Sequence, residues 1–162
     1  MSDDHDRIIT FPSPKINSND FRAGEKVKIS GRIFLGGNEA LDRLYYLTKQ
    51  GKMLNLELTG SLWLYALYSP ISEQFNWVTT PLADDYYQLL GDYGIGLAGQ
   101  LPMERQTLMK YQIMGLAAKS QDTHFLRDQI LKVKSVWWMD EGLSYSLWEL
   151  IVQELGPLEL IV

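Results

Sequence analysis

The segment "SLWLYALYS", Ser61–Ser69, decides the fold class of this sequence. Apolar side chains occupy both sets of alternating positions along it. Successive side chains of a strand point to opposite faces of a sheet, so a strand that is apolar at both sets has to be covered on both faces. The pattern therefore predicts a layered α/β domain rather than an open antiparallel sheet.

The segments around this strand predict further strands and helices. On the N-terminal side we expect strands at Arg7–Phe11 and over about Val27–Leu35, then a helix that Asn38 caps and that ends near Gly51. One apolar stripe runs along this helix: Ala40, Leu41, Leu44 and Leu47. On the C-terminal side we expect a helix capped by Thr79 or Thr80, a helix opened by Pro102 and ending near Lys110, a buried strand or turn at "IMGLAA", and three late strands at "VKSVWW", "SLWELIVQEL" and "PLELIV". No repeat or linker interrupts this order, so we expect one domain over residues 7–162 behind a flexible tail at 1–6.

Charge and composition narrow the function classes. The 162 residues carry a net charge of −5, which disfavours a nucleic-acid partner because such proteins need basic surfaces. No segment has the length and apolarity of a membrane span, and the acidic N-terminus does not resemble a signal peptide, so we expect a cytoplasmic protein. The chain has no cysteine and only two histidines, His5 and His124, so we expect neither a metal site nor a cofactor bound by this chain alone.

The stretch "WVTTPLADDYYQLLGDYGIGLA", Trp77–Ala98, raises the sharpest functional question. A pair of threonines before a helix is typical of an anion site, because free N–H groups and the positive end of the helix dipole meet there. The charged residues of the stretch are nevertheless all acidic: Asp84, Asp85 and Asp92. Two interpretations stay open, an anion cradle at Thr79 and Thr80, or an ordinary helix cap with an acidic first turn.

The segment "GIGLAG", Gly94–Gly99, matches the spacing of a dinucleotide-binding fingerprint. That motif requires a strand directly before the glycines and a helix that opens on them. Here a helix is predicted before the glycines, so we interpret them as residues of tight turns. For the tryptophans Trp137, Trp138 and Trp148 we predict packing rather than a ligand cage.

Several segments, taken in order, resemble the β subunit of class I fumarate hydratase and L-tartrate dehydratase. They are "FRAGEKVKISGRIF" (Phe21–Phe34), "ALYSPI" (Ala66–Ile71), "VTTPLADDYYQLLGDYGIGLAG" (Val78–Gly99) and the closing "DEGLSYSLWELIVQELGPLELIV" (Asp140–Val162). The resemblance implies a swivelling β/β/α domain, the fold of the C-terminal domain of single-chain fumarases. It also implies an α-like partner subunit that carries a [4Fe–4S] cluster, with no cluster in this chain. Assembly with further copies of the chain is the other expected partnership.

The positions that correspond to the family's catalytic residues differ in this sequence. The family's Arg-Asp-x-x-His motif falls on Gly37, Asn38 and Leu41, and only Arg43 remains of the basic pair that follows it. The Arg of the Thr-Thr-Ser-x-Arg motif falls on Ala83, and the Lys of Gly-Lys-Gly falls on Leu97. The threonines of that motif are present as Thr79 and Thr80.

Electrostatics separates two hypotheses about activity. A dicarboxylate carries two negative charges, yet no Lys or Arg occurs between Lys52 and Arg105, where six acidic residues lie. The first hypothesis is therefore a catalytically inactive β-like subunit that scaffolds or regulates a partner. The alternative is an active hydro-lyase β subunit, in which Thr79 and Thr80 bind a substrate carboxylate and Arg43 balances charge.

Overall fold

The computed structural model describes residues 6–13, 21–52, 56–69, 71–72, 74–100, 104–118 and 127–161. Its strands are β1 (Arg7–Phe11), β2 (Lys26–Gly36), β3 (Leu62–Ser69), β4 (Gln74–Trp77), β5 (Gly96–Gly99), β6 (Gly115–Ala117), β7 (Ile130–Trp137) and β8 (Leu147–Leu160). Its helices are α1 (Asn38–Lys49), α2 (Asp84–Asp92) and α3 (Arg105–Lys110). Two 3₁₀ turns, Met139–Glu141 and Leu143–Tyr145, connect β7 to β8.

The strands form a mixed sheet that closes on itself. Strands β2, β3, β5 and β6 are parallel neighbours in that order, and β8 pairs antiparallel with both β6 and β2. Helices α1, α2 and α3 lie in the connections between the parallel strands, as crossover geometry requires. The predicted α/β class is confirmed, with a core dominated by the sheet.

Burial of β3 confirms the prediction from Ser61–Ser69. Leu62, Leu64 and Ala66 belong to the apolar cluster inside the closed sheet. Trp63 and Tyr65, at the intervening positions, belong to a second cluster that also contains the buried residues of α1 and α2. All five side chains have no solvent exposure. The strand is thus covered by the sheet interior on one face and by the helices on the other.

The late strands differ from the prediction of three. β7 contains most of "VKSVWW", as predicted. The segments "SLWELIVQEL" and "PLELIV", in contrast, form the single strand β8. The register of β8 against β2 shifts between Val152, which pairs with Gly31, and Leu155, which pairs with Ile29. Glu154 lies within this shift and has a φ of 50°. A second register shift lies between Leu155 and Leu158. A shift interrupts the ladder hydrogen bonds, so the strand can continue there through Pro157, which has no N–H to donate.

The interpretation of "GIGLAG" as residues of tight turns is confirmed for Gly94 and wrong for Gly96 and Gly99, which lie in a strand. Helix α2 precedes the segment, Gly94 is a turn residue with a φ of 65°, and Gly96–Gly99 forms β5 itself. A strand–turn–helix unit for a pyrophosphate is therefore not built at these glycines. The predicted helix start at Pro102 lies outside the described residues. Within the described residues, α3 begins at Arg105.

Candidate functional site

The buried side chain of Tyr65 joins the start of α1 to the threonine pair. Its single hydroxyl hydrogen is shared between two acceptors, Asn38 Oδ1 at 2.7 Å and the backbone oxygen of Thr80 at 3.1 Å from the hydroxyl oxygen. Burial is the main cause that raises the pKa of Tyr65 to about 12, with Glu39 and Asp42 raising it further and the Asn38 bond opposing them. The phenol therefore stays neutral at ordinary pH and acts as a fixed hydrogen-bond donor.

Asn38 does not cap α1, contrary to the prediction. The capping position is Gly37, which has no side-chain hydrogen bond to the helix, and Asn38 is the first helical residue. The Asn38 amide oxygen is instead the acceptor for Tyr65. The stripe on α1 is confirmed in part, because Ala40, Leu41 and Leu44 are buried whereas Leu47 is half-buried.

Thr79 and Thr80 lie before α2 but do not cap it, so that prediction is wrong. The helix begins at Asp84 and its capping position is Ala83, which makes no side-chain hydrogen bond to the free N–H groups. The chain before it is held to β3, since Val78 N donates to Tyr65 O at 3.1 Å and Thr80 O accepts from the Tyr65 hydroxyl. The carbonyl of a capping residue accepts the first hydrogen bond of its helix, whereas the Thr80 carbonyl accepts from Tyr65, so Thr80 lies outside the helix.

The first turn of α2 is negatively charged. Asp84 and Asp85 occupy it, both are exposed, and the last turn of the helix has no basic residue. Carboxylates at a helix start offset the positive end of its dipole. They therefore reduce the attraction that this end would otherwise exert on an external anion.

Arg43 is held by a bidentate pair with Asp140 from the first 3₁₀ turn. The Arg43 Nη1 atom lies 2.7 Å from Asp140 Oδ1 and 2.8 Å from Oδ2. The guanidinium carbon also lies 5.6 Å from the centre of the Trp138 ring. Hydrogen bonding from Arg43 is the main cause that lowers the pKa of Asp140. The charge that was expected to assist a substrate is thus engaged within the chain.

Aromatic side chains fill the sheet interior near the carboxyl end of β3. Tyr68 packs against Trp148 with 4.6 Å between ring centres and against Phe75 with 5.1 Å. Trp148 Nε1 donates to the backbone oxygen of Leu143 at 3.2 Å, which fixes the indole. This confirms the packing role predicted for Trp148.

The structure therefore brings together only some of the predicted site residues. Thr80 and Asn38 meet through Tyr65, whereas Arg43 is joined to Asp140, and no hydrogen bond of Thr79 is found in the described part of the chain. Tyr65 was missed because its position within an apolar strand predicts only packing. The polar end of its side chain was the available signal, since a buried tyrosine hydroxyl usually finds a partner.

No candidate metal centre occurs in the described ranges. No three His, Cys, Asp or Glu side chains converge there in a way that could hold an ion. Two buried polar atoms of the described residues, Gln100 Oε1 and Trp137 Nε1, have no hydrogen-bond partner. Gln100 follows β5 and Trp137 ends β7, and these two strands are separated in the sheet by β6 and β8.

Comparison with known proteins adds no further assignment. No protein-family model matches the sequence, and no curated protein is significantly similar to it. Among the described residues, no helix combines the length and apolarity needed to cross a bilayer.

Proposed function

We propose that this chain is a divergent, non-catalytic homologue of the β subunit of class I fumarate hydratase and L-tartrate dehydratase. In this proposal it adopts the swivelling β/β/α fold, resides in the cytoplasm, and scaffolds or regulates an α-like subunit that carries a [4Fe–4S] cluster. The family assignment rests on the ordered sequence segments from Phe21 to Val162. A closed mixed sheet with helices in its parallel connections is compatible with it.

The observation that carries the loss of catalysis is the absence of a positive partner at the threonine pair. In the described part of the chain, no Lys or Arg side chain forms a hydrogen bond or an ion pair with Thr79 or Thr80. Arg43, the basic residue retained from the family pattern, is bound to Asp140. The nearest helix start carries Asp84 and Asp85.

Magnitudes favour this proposal over an active enzyme. Charge-assisted hydrogen bonds contribute about 1.5–3 kcal/mol each, and a dicarboxylate needs several of them to replace its water. Hydroxyls and one helix start offer neutral hydrogen bonds of about 0.5–1.5 kcal/mol. An active subunit would need cations from its partner, together with release of Arg43 from Asp140.

The deciding experiment is co-expression with a cysteine-bearing α-like chain, followed by native mass spectrometry and an assay of fumarate and tartrate turnover. We expect a stable complex whose turnover is unchanged by Thr80→Ala. The matched control is Thr59→Ala, which alters an exposed threonine in the turn before β3. Turnover that falls with Thr80→Ala but not with Thr59→Ala would establish the active hydro-lyase instead. Failure of the chains to associate would overturn the subunit proposal.

A further inference from the structure

A groove of about 350 Å³ lies between α1 and α2, away from the threonine pair. Its aromatic lining is Tyr45 from α1 and Tyr93 just after α2, both half-buried. Its acidic lining is Asp85 and Asp92, with Gln88 between them. Residues spaced by three, four and seven share one face of a helix, so the two carboxylates and the amide line the same side of α2.

Neither carboxylate of the groove is neutralised within the described residues. The ion pairs found there involve Arg7, Arg32, Arg43 and Lys134, and none reaches Asp85 or Asp92. Lys49 also lines the groove, but its Nζ lies 5.3 Å from the centre of the Tyr45 ring rather than on an aspartate. The groove thus already places one cation on a tyrosine face while leaving two carboxylates without a partner.

We infer that this groove binds an arginine side chain presented by a partner protein. A guanidinium is planar, stacks on tyrosine faces, and donates to carboxylates and amides through a fixed set of N–H groups. The two tyrosines, the two aspartates and Gln88 match these properties. The aspartates also outnumber Lys49, so the occupant that complements their charge is a cation. The inference goes beyond the proposed function and concerns a separate surface.

Three short peptides test this inference: acetylated, amidated Gly-Arg-Gly and its citrulline and lysine analogues, each titrated into the uniformly ¹⁵N-labelled full chain. Citrulline keeps the shape of arginine without its charge. We expect saturable shifts of the Thr48, Gln88 and Asp92 amides with the arginine peptide below about 10 mM, as for a weak exposed site. The citrulline peptide should bind at least fivefold more weakly and the lysine peptide about threefold more weakly.

Matched variants separate a built groove from general attraction to an acidic protein. Asp85→Asn with Asp92→Asn should weaken arginine binding about fivefold, and Tyr93→Leu about threefold. The control, Asp6→Asn with Glu154→Gln, removes the same charge near β1 and from β8 and should leave binding unchanged. Equal losses in the control, equal binding of the citrulline peptide, or no saturable shift would overturn the inference.

Discussion

At the scale of single residues, Tyr65 has the most consequential polar contacts of the candidate site. A strand residue with no solvent exposure reaches past its own layer to fix both the first residue of α1 and the chain before α2. Because Thr80 contributes its carbonyl to this contact, the position of the threonine pair depends on a residue outside the motif. The backbone of Thr80 therefore has a structural role, because it connects this segment to β3.

Removal of the Tyr65 hydroxyl tests this role. Tyr65→Phe keeps the ring but leaves Asn38 Oδ1 and Thr80 O without their donor, so we expect a loss of about 1–2 kcal/mol in the free energy of unfolding. Urea denaturation followed by circular dichroism measures it. Tyr46→Phe is the control, since Tyr46 is 58% exposed. Equal stabilities of the two variants would show that the hydrogen bonds of the Tyr65 hydroxyl contribute nothing to the free energy of unfolding.

The pair of Arg43 and Asp140 gives a pH prediction. Hydrogen bonds from Arg43 lower the pKa of Asp140 below its ordinary 3.8, so the pair stabilises the fold above that pH. Its contribution is lost as the pH falls through the lowered pKa of the folded state. We expect a carboxyl titration by NMR to show a midpoint below 3.8 for Asp140. In Arg43→Ala the midpoint should move up, and an unchanged midpoint would contradict the pairing.

At the scale of secondary-structure elements, Gly31 determines how closely β1 approaches β2. Gly31 pairs with Phe11 in the parallel register and has a φ of 105°. A Cβ atom at this position would overlap the backbone oxygen of Phe11. Both the left-handed backbone and the contact with β1 therefore require glycine.

Gly31→Ala should destabilise the protein by about 3 kcal/mol or more, because either β1 or the backbone of β2 has to move. Gly51→Ala is the matched control, since Gly51 has a φ of 66° and open space around it. We expect about 1 kcal/mol there, from backbone strain alone. Thermal unfolding of both variants measures the difference, and similar values would refute the importance of the close contact.

Sequence reasoning succeeded for elements with a strong apolar pattern. The two-sided burial of β3, the position of β2 and the buried face of α1 follow directly from which side chains avoid water. The helix starts were placed wrongly, because Asn38 and Thr80 are used by Tyr65, a contact across 27 and 15 residues respectively. Cap preferences describe neighbours in the chain, and such a long-range hydrogen bond overrides them.

The same distinction applies to the candidate site. The absence of Lys and Arg between Lys52 and Arg105 is visible in the sequence, so the acidic character of α2 was predictable. The bond between Arg43 and Asp140 was not, since it joins residues 97 positions apart. The groove between α1 and α2 was also missed, because helix packing rather than chain order brings Tyr45 close to Asp85 and Asp92.

At the scale of the whole molecule, β8 closes the sheet. It pairs with β2 along most of its length, with β7 through its first half and with β6 at its end. The bond from Ile161 N to Gly115 O at 2.8 Å reinforces the pairing with β6, and the bond from Leu160 N to Glu25 O at 2.8 Å reinforces the pairing with β2. Closure therefore depends on the final residues of the chain.

Ending the chain after Leu155 should open the sheet. The truncation removes Leu158 and Leu160, which are 3% and 2% exposed, and burial of each leucine side chain contributes about 2–5 kcal/mol. We expect a loss above about 4 kcal/mol and the disappearance of a cooperative thermal transition. A milder variant, Leu158→Ala, should retain the transition at a lower temperature. An unchanged transition in the truncated chain would contradict closure by β8.

Exposed lysine side chains lie along the outer edge of β7. In the described sheet β7 pairs only with β8, and Leu131 and Val133 are 61% and 44% exposed beside the exposed Lys132 and Lys134. Lysines on a free edge oppose strand addition by repulsion. Acetylating them should therefore promote self-association, which is measured as an increase in light scattering. A Lys132→Arg, Lys134→Arg variant, whose guanidinium groups resist the reagent, should show no such increase.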